Sequence, residues 1–325
     1  MAVQLLNPLP RTLHHYVGQI LAASDPGTWM ELHHPGIEAA SGSPLPRRVQ
    51  DHVRALGGAN ADEPLFVAWP AFGHLEPLLL RRRRAATVIA VHDPRPLRRQ
   101  AGHGRGAVRL GVAASRKRGV TILAHSVSAR LVLQQAGYAD VVQVPLPMSH
   151  PSPSSAGQPV GGKQVVRILG QNKQARDVTL LEKLGWAIKA LGAETEIVGS
   201  GWPTVDGWSV RDEFVDEVEF SRLLSESAAV LIPYARFFQS DVAVRAAEAG
   251  RPVIGPAVGF LTELFGAGHP GLVAREAEVD AWLECVSDAL RDATPFLDSA
   301  TIAADRACTA WSELVTRLAH GCAPR

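Results

Sequence analysis

The chain has 325 residues with a net charge of +1, and 46% of its residues are hydrophobic. This length and apolar content exclude a wholly disordered chain and favour two domains. No stretch approaches 18 apolar residues, and the first 20 residues carry Arg11, two histidines and two prolines. We therefore expect neither a membrane span nor a signal peptide, and we expect a cytoplasmic location.

The small net charge conceals two oppositely charged halves. Residues 1–160 contain 17 Lys and Arg against 9 Asp and Glu, a balance of +8, whereas the remaining residues are at −7. This division indicates two domains with different partners, one of them anionic or close to a membrane. The arginines of the first half come without interleaved aromatic residues or a recognised nucleic-acid motif, so we expect no nucleic-acid partner.

Short β-branched segments alternate with longer amphipathic segments along most of the chain. The predicted strands are residues 3–6, 65–69, 87–91, 120–124, 141–144, 165–169, 194–198, 229–232 and 252–254. The predicted helices are residues 12–21, 46–56, 75–84, 126–136, 179–191, 218–227, 240–249, 279–293 and 301–320. This alternation predicts an α/β protein with two doubly wound, Rossmann-like domains that face each other across a cleft.

The domain boundaries follow from a segment rich in Gly, Pro and Ser. Residues 149–163 have this composition and are typical of an interdomain linker. We expect an N-terminal domain over residues 1–148 and a C-terminal domain over residues 164–300. The last helix, within residues 301–325, is expected to cross back to the first domain.

Two segments of the second half have the character of a phosphate site. A turn containing Gly199 and Ser200 follows a predicted strand, and its glycines allow close approach of a nucleotide, although the rest of a dinucleotide fingerprint is missing. A helix is predicted to begin near Ser240 and Asp241, directly after another strand. Its free N–H groups and positive dipole end favour a diphosphate at that position.

Several motifs occur in a fixed order over residues 164–275. A strand with a following glycine (ILG) precedes a basic segment (QNKQARD), a double leucine, IVGSG, an aromatic-acidic stretch (DEFVDEVEF), AAVLIPY, EAGRPVI and GFLTE. In this order they resemble the donor-binding domain of GT-B-fold retaining nucleotide-sugar glycosyltransferases of group 1, or family 4. The first half is similar as well, in VIAVHDP and in ILAHSVSARLVLQQAG. The resemblance implies that DEFVDEVEF is a strand and GFLTE a loop.

The resemblance also implies roles for individual donor-side residues. Lys173 and Arg176 would hold the donor phosphates, with backbone N–H groups at Ser240 and Asp241, and Glu263 would bind hydroxyls of the donor sugar. Further donor-side candidates are Gly199 and Ser200, and Tyr234 and Trp202 are candidate walls of the nucleobase pocket because aromatic faces stack on bases.

This chain departs from the family at two glutamates. The family carries them with seven residues between them, and their positions hold Phe237 and Arg245 here. Arg245 would then contact phosphate, or Glu248 would replace the missing carboxylate. On the acceptor side, His92 would lie near the anomeric carbon with Asp93 orienting it, and His14 and His15 are weaker candidates for acceptor contact.

The implied activity is that of a hexosyltransferase that moves a sugar from a nucleoside diphosphate sugar to an acceptor hydroxyl. The acceptor would be a glycan, a glycolipid or a polyprenyl-linked saccharide of polysaccharide or cell-envelope biosynthesis. Retention of configuration follows from the family, and we expect no cofactor and no metal ion. The basic N-terminal half would contact an anionic membrane surface, making the protein peripheral to the membrane. The alternatives are a non-catalytic GT-B ligand- or partner-binding protein and a sugar-nucleotide epimerase of the same fold.

Overall fold

The computed structural model describes residues 1–25, 27–38, 43–96, 100–152, 163–172, 178–234, 237–274 and 278–321. The chain divides into two compact units. The first domain comprises Met1–Pro147 together with the chain from Ala307 onward, and the second domain comprises Met148–Arg306. No helix formed by these residues is both long enough and apolar enough to cross a membrane.

The first domain contains a six-stranded parallel sheet. Its strands are β1 (Val3–Leu6), β2 (Trp29–Leu32), β3 (Leu65–Val67), β4 (Thr87–Ala90), β5 (Val120–Ala124) and β6 (Val141–Gln143), in the spatial order β2-β1-β3-β4-β5-β6. Its helices are α1 (His14–Ala22), α2 (Leu45–Gly58), α3 (Glu76–Leu79), α4 (Arg105–Arg118) and α5 (Val127–Gln135). Every residue of β5 is buried, as expected for a strand with helices on both faces of its sheet.

The second domain repeats this architecture. Its strands are β7 (Val165–Leu169), β8 (Glu194–Val198), β9 (Ser209–Arg211), β10 (Ala229–Leu231), β11 (Val253–Pro256) and β12 (Leu272–Val273), in the order β12-β11-β10-β7-β8-β9, again all parallel. Its helices are α6 (Val178–Ala190), α7 (Glu217–Ser225), α8 (Asp241–Glu248), α9 (Phe260–Phe265), α10 (Val279–Arg291) and α11 (Thr294–Ala319).

Helix α6 illustrates how sequence spacing builds the second core. Leu181, Leu184 and Ile188 are fully buried, and their spacing of three and four residues places them on one face of the helix. Gly185 lies on the same face, where an added Cβ would come within 2.7 Å of the Trp208 ring. The Trp208 indole N–H donates to the carbonyl of Leu181 at 2.6 Å. The small residue therefore lets an aromatic ring pack directly on the helix backbone.

Helix α11 belongs to both domains. It is 26 residues long and begins at Thr294, earlier than the predicted start at residue 301. From Ala307 onward it packs within the first domain. Trp311 is fully buried there, with its indole N–H donating to the carbonyl of Pro145 at 2.9 Å and its ring 5.9 Å from that of Phe66.

Three sequence-based predictions of local structure are wrong. The stretch at residues 212–220 is not a strand, because β9 ends at Arg211 and α7 begins at Glu217 with Asp216 as its cap. The helix predicted over residues 75–84 ends at Leu79, since Arg83 donates to the carbonyls of residues 59, 60 and 63 and so holds the following segment extended. The predicted GFLTE loop contains helix α9. The pattern also gave no indication of β2, β12 or α4.

Candidate functional site

The strand order of each sheet indicates where a ligand binds. In the second domain the connections leave β7 toward β8 and then return to β10 on its other side. Ligands of doubly wound sheets bind at this reversal, beyond the carboxyl ends of the two strands concerned. The loops after β7 and β10 are therefore the candidate site of the second domain. In the first domain the same argument selects the loops after β1 and β3.

The loop after β7 and the loop after β8 approach each other through two glycines. A Cβ added to Gly199 would overlap the carbonyl group of Gly170, and both residues have positive φ, 152° and 95° respectively. The backbone N–H of Asn172 donates to the carbonyl of Ser200 at 3.0 Å, and the Trp202 indole N–H donates to that of Gly170 at 2.9 Å. Gly199 and Ser200 thus form part of a closely packed backbone surface at the carboxyl edge of β7 and β8.

Helix α8 begins at the same edge of the sheet, after β10. The Ser240 side chain accepts a hydrogen bond from the N–H of Ala243 at 3.2 Å and is buried, with 6% of its surface exposed. Asp241 is the first helical residue. Because the sequence places an N-cap serine directly before an amphipathic segment, the helix starts where its N-terminal dipole points toward the candidate site.

Arg245, a predicted donor-side residue, is bound to α7. Its guanidinium forms an ion pair with Glu217 through both carboxylate oxygens and lies 4.3 Å from the ring centroid of Phe220. It also donates to the Ser221 hydroxyl at 3.3 Å, and its side chain is only 10% exposed. The structure therefore uses Arg245 to join α7 to α8.

The remaining predicted donor residues fall at different places in the second domain. Glu248 lies at the far end of α8, where its carboxylate accepts the backbone N–H of Ser149 at 2.7 Å. Glu263 is half-buried in the first turn of α9. Tyr234 is buried at the carboxyl end of β10, with its ring 5.3 Å from that of Phe237. Lys173 and Arg176 lie outside the described residues.

In the first domain, aromatic and imidazole rings collect at the ends of three adjacent strands. Trp69 follows β3, His92 follows β4 and His125 follows β5. His92 stacks on Trp69 with ring centroids 4.9 Å apart, and the His92 and His125 centroids are also 4.9 Å apart. The Nε2 atom of His92 donates to the carbonyl of Ala68 at 2.9 Å, and only 3% of the residue is exposed.

Hydrogen bonds fix the tautomer of His125. Its Nδ1 lies 2.9 Å from the carbonyl of Val144, which only accepts, so the proton is on Nδ1. Its Nε2 then accepts from the Tyr16 hydroxyl at 3.1 Å. Burial, reinforced by the nearby His92, lowers the pKa of His125 well below its usual value, and burial raises the pKa of Tyr16. Both groups are therefore neutral at physiological pH.

The other acceptor-side candidates border this cluster or the loop after β1. Asp93 follows His92 and is half-buried. His14 and His15 occupy the first turn of α1, where His14 is exposed and His15 half-buried. Just before them, the Glu38 carboxylate accepts the backbone N–H of Thr12 at 2.7 Å. The structure thus places Asp93, His14 and His15, like His92, on the side of the sheet where the strands end.

A buried chain of hydrogen bonds supports the same side of the first domain. His34 Nδ1 accepts from the N–H of Gly36 at 2.9 Å, so His34 donates through Nε2 to His52 Nδ1 at 3.1 Å. His52 Nε2 then donates to Glu76 at 2.6 Å, and the second oxygen of Glu76 accepts the N–H of Phe72 at 3.0 Å. Burial and the neighbouring His52 lower the pKa of His34 to about 4. This chain ties the loops after β2 and β3 to α2.

Among the residues that the structure describes, no three or more His, Cys, Asp or Glu side chains are grouped so as to hold a metal ion.

Other proteins of known structure share this fold. No protein-family model matches the chain, and no curated protein matches it in sequence. HepE of Anabaena, crystallised with UDP, matches with a TM-score of 0.66 and 13% identity over 98% of each chain. A trehalose-phosphate synthase of Burkholderia vietnamiensis matches with a TM-score of 0.63 and 9% identity, over 98% of this chain and 99% of the synthase. The chain has the GT-B fold.

A third match differs in length. TarM of S. aureus, crystallised with UDP, α-GlcNAc-glycerol and fondaparinux, has a TM-score of 0.57 and 9% identity over 82% of this chain. This chain spans 58% of the length of TarM. At these identities the matches establish the shared GT-B fold.

Sequence reasoning identified His92 in this GT-B chain but missed the residues around it. Trp69, His125 and Tyr16 contact one another or His92 only because β3, β4, β5 and α1 meet in the fold. A usable signal existed for two of them, since Trp69 is the last residue of the strand predicted at residues 65–69 and His125 directly follows the strand predicted at residues 120–124, as His92 follows the one at residues 87–91.

Proposed function

We propose that the protein is a glycosyltransferase that moves a sugar from a nucleoside diphosphate sugar to an acceptor hydroxyl. The proposal is supported by two features at the carboxyl edge of the second sheet. Gly170 and Gly199 are in contact at the ends of their strands, and helix α8 begins nearby. A bare backbone surface beside a helix N-terminus suits a diphosphate. Two proteins of the same fold, HepE and TarM, were crystallised with UDP, and HepE also with UDP-glucose.

On the donor side, each candidate has a distinct task. The first turn of α8, at Ser240 and Asp241, would face the leaving diphosphate, whose developing charge Lys173 and Arg176 would neutralise without a metal ion. Glu263 would bind hydroxyls of a hexose, and Tyr234 would contribute to the nucleobase pocket. Arg245 would act on the phosphates indirectly, by fixing α8 against Glu217 of α7.

On the acceptor side, His92 and Asp93 would act near the anomeric carbon, and His14 and His15 would border the acceptor. His92 is held between Trp69 and Tyr16, so its position is fixed by packing. The acceptor would be a saccharide or a lipid-linked saccharide, and the reaction would retain the anomeric configuration. The basic first domain would rest on an anionic membrane surface on its cytoplasmic side.

One observation favours a second candidate function, that of a non-catalytic binding protein. Arg245 stands where the family has a glutamate and is already ion-paired with Glu217. In a protein that had lost turnover, such a structural pairing would replace a donor contact without affecting the fold.

The test is a thermal-shift panel of UDP-, GDP- and ADP-sugars followed by a donor-hydrolysis assay. A ligand that binds only the folded state raises the melting temperature. A shift with turnover supports the glycosyltransferase, and a shift without turnover supports the binding protein. No shift with any nucleotide sugar at millimolar concentration would refute both.

A variant pair then locates the donor phosphates. Arg176→Ala should weaken donor binding at least about tenfold if its charge-assisted hydrogen bonds are lost. Arg222→Ala is the control, because Arg222 is on the same domain and pairs with Glu219 and Glu226 on the surface of α7. Equal affinities in the two variants would remove Arg176 from the site.

A further inference from the structure

The first domain contains a pocket that none of the residues in the proposed reaction lines. It has a volume of about 540 Å³ and lies between the first half of α4, the second half of α5 and the segment after β4. Volumes of this size hold small molecules in other proteins. Its lining combines the charged side chains of Arg95, Arg105 and Arg109 with apolar side chains of α4 and α5.

Three arginines at this pocket have no ionic partner among the residues that the structure describes. Arg95, Arg105 and Arg109 are exposed, and none of their guanidinium groups makes a hydrogen bond or ion pair with a residue that the structure describes. No Asp or Glu lines the pocket, and the sequence holds none between residues 94 and 139. Like charges gathered at one cavity repel one another, so an anion there is favoured.

Some other arginines of the same domain have structural partners, whereas Arg47 and Arg82 also form no hydrogen bond or ion pair with a described residue, so what distinguishes the three pocket arginines is that they line one cavity. Arg83, Arg116 and Arg118 each donate to backbone carbonyl groups, and Arg84 pairs with Asp62. Those side chains stabilise loops and helix ends. Among the described residues, the three pocket arginines have no such structural contact, so their donors are available to a ligand.

The floor of the pocket is apolar. This floor consists of the apolar lining residues Val108 of α4, Val132 and Leu133 of α5, Ala136 directly after α5, and Pro94. His103 stands beside His74 with ring centroids 5.1 Å apart, and burial together with His74 lowers the pKa of His103 to about 4. The imidazole is therefore neutral at physiological pH, and the positive charge of the pocket comes from the arginines.

We propose that this pocket binds a phosphate ester, with the phosphate held by Arg95, Arg105 and Arg109 and the organic group against the apolar floor. The guanidinium fork matches the oxygens of a phosphate, and a dianion balances several cations better than a single carboxylate does. The ester is either a free small molecule or the headgroup of a lipid. The site lies in the first domain, apart from the donor site, and does not depend on glycosyl transfer.

The test compares two double variants by isothermal titration calorimetry with phenyl phosphate at low ionic strength, where screening is weak. The pocket variant is Arg105→Gln with Arg109→Gln. The control is Arg47→Gln with Arg82→Gln, which removes the same charge from two exposed arginines elsewhere in the domain. We expect binding at least about tenfold weaker in the pocket variant and within about twofold of wild type in the control.

Two further ligands test the two parts of the site. Phenol and inorganic phosphate should each bind more weakly than phenyl phosphate, because each engages only the floor or only the arginines. Inorganic phosphate binding as tightly as phenyl phosphate would contradict the role given to the floor.

Vesicles identify the source of the ester. Cosedimentation with phosphatidate vesicles, lost in the pocket variant and kept in the control, would identify a lipid headgroup, whereas phenyl phosphate binding alone would identify a free ester. Far-UV circular dichroism confirms that each variant is folded. The proposal is overturned if neither probe binds the wild-type protein, or if the pocket variant and the control bind both probes equally.

Discussion

At the scale of single residues, the best-defined feature of the donor edge is the contact between Gly170 and Gly199. Gly199→Ala should disrupt the candidate donor site, because its Cβ would overlap the carbonyl group of Gly170 and neither backbone can yield without moving a loop. We expect nucleotide-sugar binding, measured by calorimetry, to be lost and the protein to be destabilised by about 2 kcal/mol or more.

Gly192→Ala is the matched control for this prediction. Gly192 also has positive φ, 88°, but an added Cβ would meet nothing within 4 Å. The Gly192→Ala substitution should therefore lower the free energy of unfolding by only about 1–2 kcal/mol, through left-handed backbone strain, and leave nucleotide binding intact. Equal behaviour of the two variants would show that the close approach of the two loops has no part in binding.

At the scale of elements, the N-cap serines of two helices allow an effect on nucleotide binding to be distinguished from an effect on stability. Ser240 caps α8 at the candidate donor site, and Ser126 caps α5 in the first domain, each accepting an N–H at 3.2 Å. Either substitution by alanine should cost about 1 kcal/mol in urea denaturation. Only Ser240→Ala should also weaken nucleotide binding, because it leaves the first turn of α8 less ordered. Equal affinities would place the diphosphate elsewhere.

The same elements show how much of the fold can be predicted from sequence. Helices such as α5 and α8 were predictable because a capping serine precedes an amphipathic segment, and β5 and β7 because they are short apolar runs. Strand β2 was missed because only half of its residues are shielded, and α4 because its arginines and glycines hide the apolar period. In α7, local helix capping by Asp216 prevailed over the strand character implied by the family resemblance.

The candidate sites were less predictable than the elements. Residues directly after strands, such as His92, could be found from the pattern alone. The partners that hold them could not, because Trp69 and His125 reach His92 through strand pairing across 23 and 33 residues of sequence. For Arg245, the resemblance led to a wrong partner. It suggested a contact with the donor phosphate, whereas the structure pairs Arg245 with Glu217 on another helix.

At the scale of the whole molecule, charge and burial are distributed unequally between the domains. The basic half is the domain that carries the uncompensated arginines, and it also holds most of the buried histidines. Histidines with a pKa lowered by burial are His34 and His103, each to about 4, together with His74, His125 and His269. Four of these five lie in the first domain.

Because of these histidines, we expect the free energy of unfolding to decrease as the pH falls below about 6.5. Their pKa in the folded protein lies below the unfolded value near 6.5, so above that pH both states are neutral and the full stability is present. As the pH falls below 6.5, the unfolded chain takes up protons that the folded protein excludes. Each buried histidine then removes up to about 1.4 kcal/mol of unfolding free energy per pH unit. Urea titrations at pH 7.5, 6.5, 5.5 and 4.5 measure this slope.

His125 is the best residue at which to test whether buried histidines cause this acid destabilisation, because it is buried and hydrogen-bonded to Tyr16 and Val144. His125→Gln should lower stability at pH 7.5 by about 1–3 kcal/mol through the lost contacts, yet flatten the slope between pH 6.5 and 4.5. His14→Gln, at an exposed side chain on the helix that carries Tyr16, should keep the wild-type slope. The carboxylates with a lowered pKa, Glu219 at about 2 and Asp292, act below this window. A slope unchanged in His125→Gln would therefore assign the acid sensitivity to the other buried histidines.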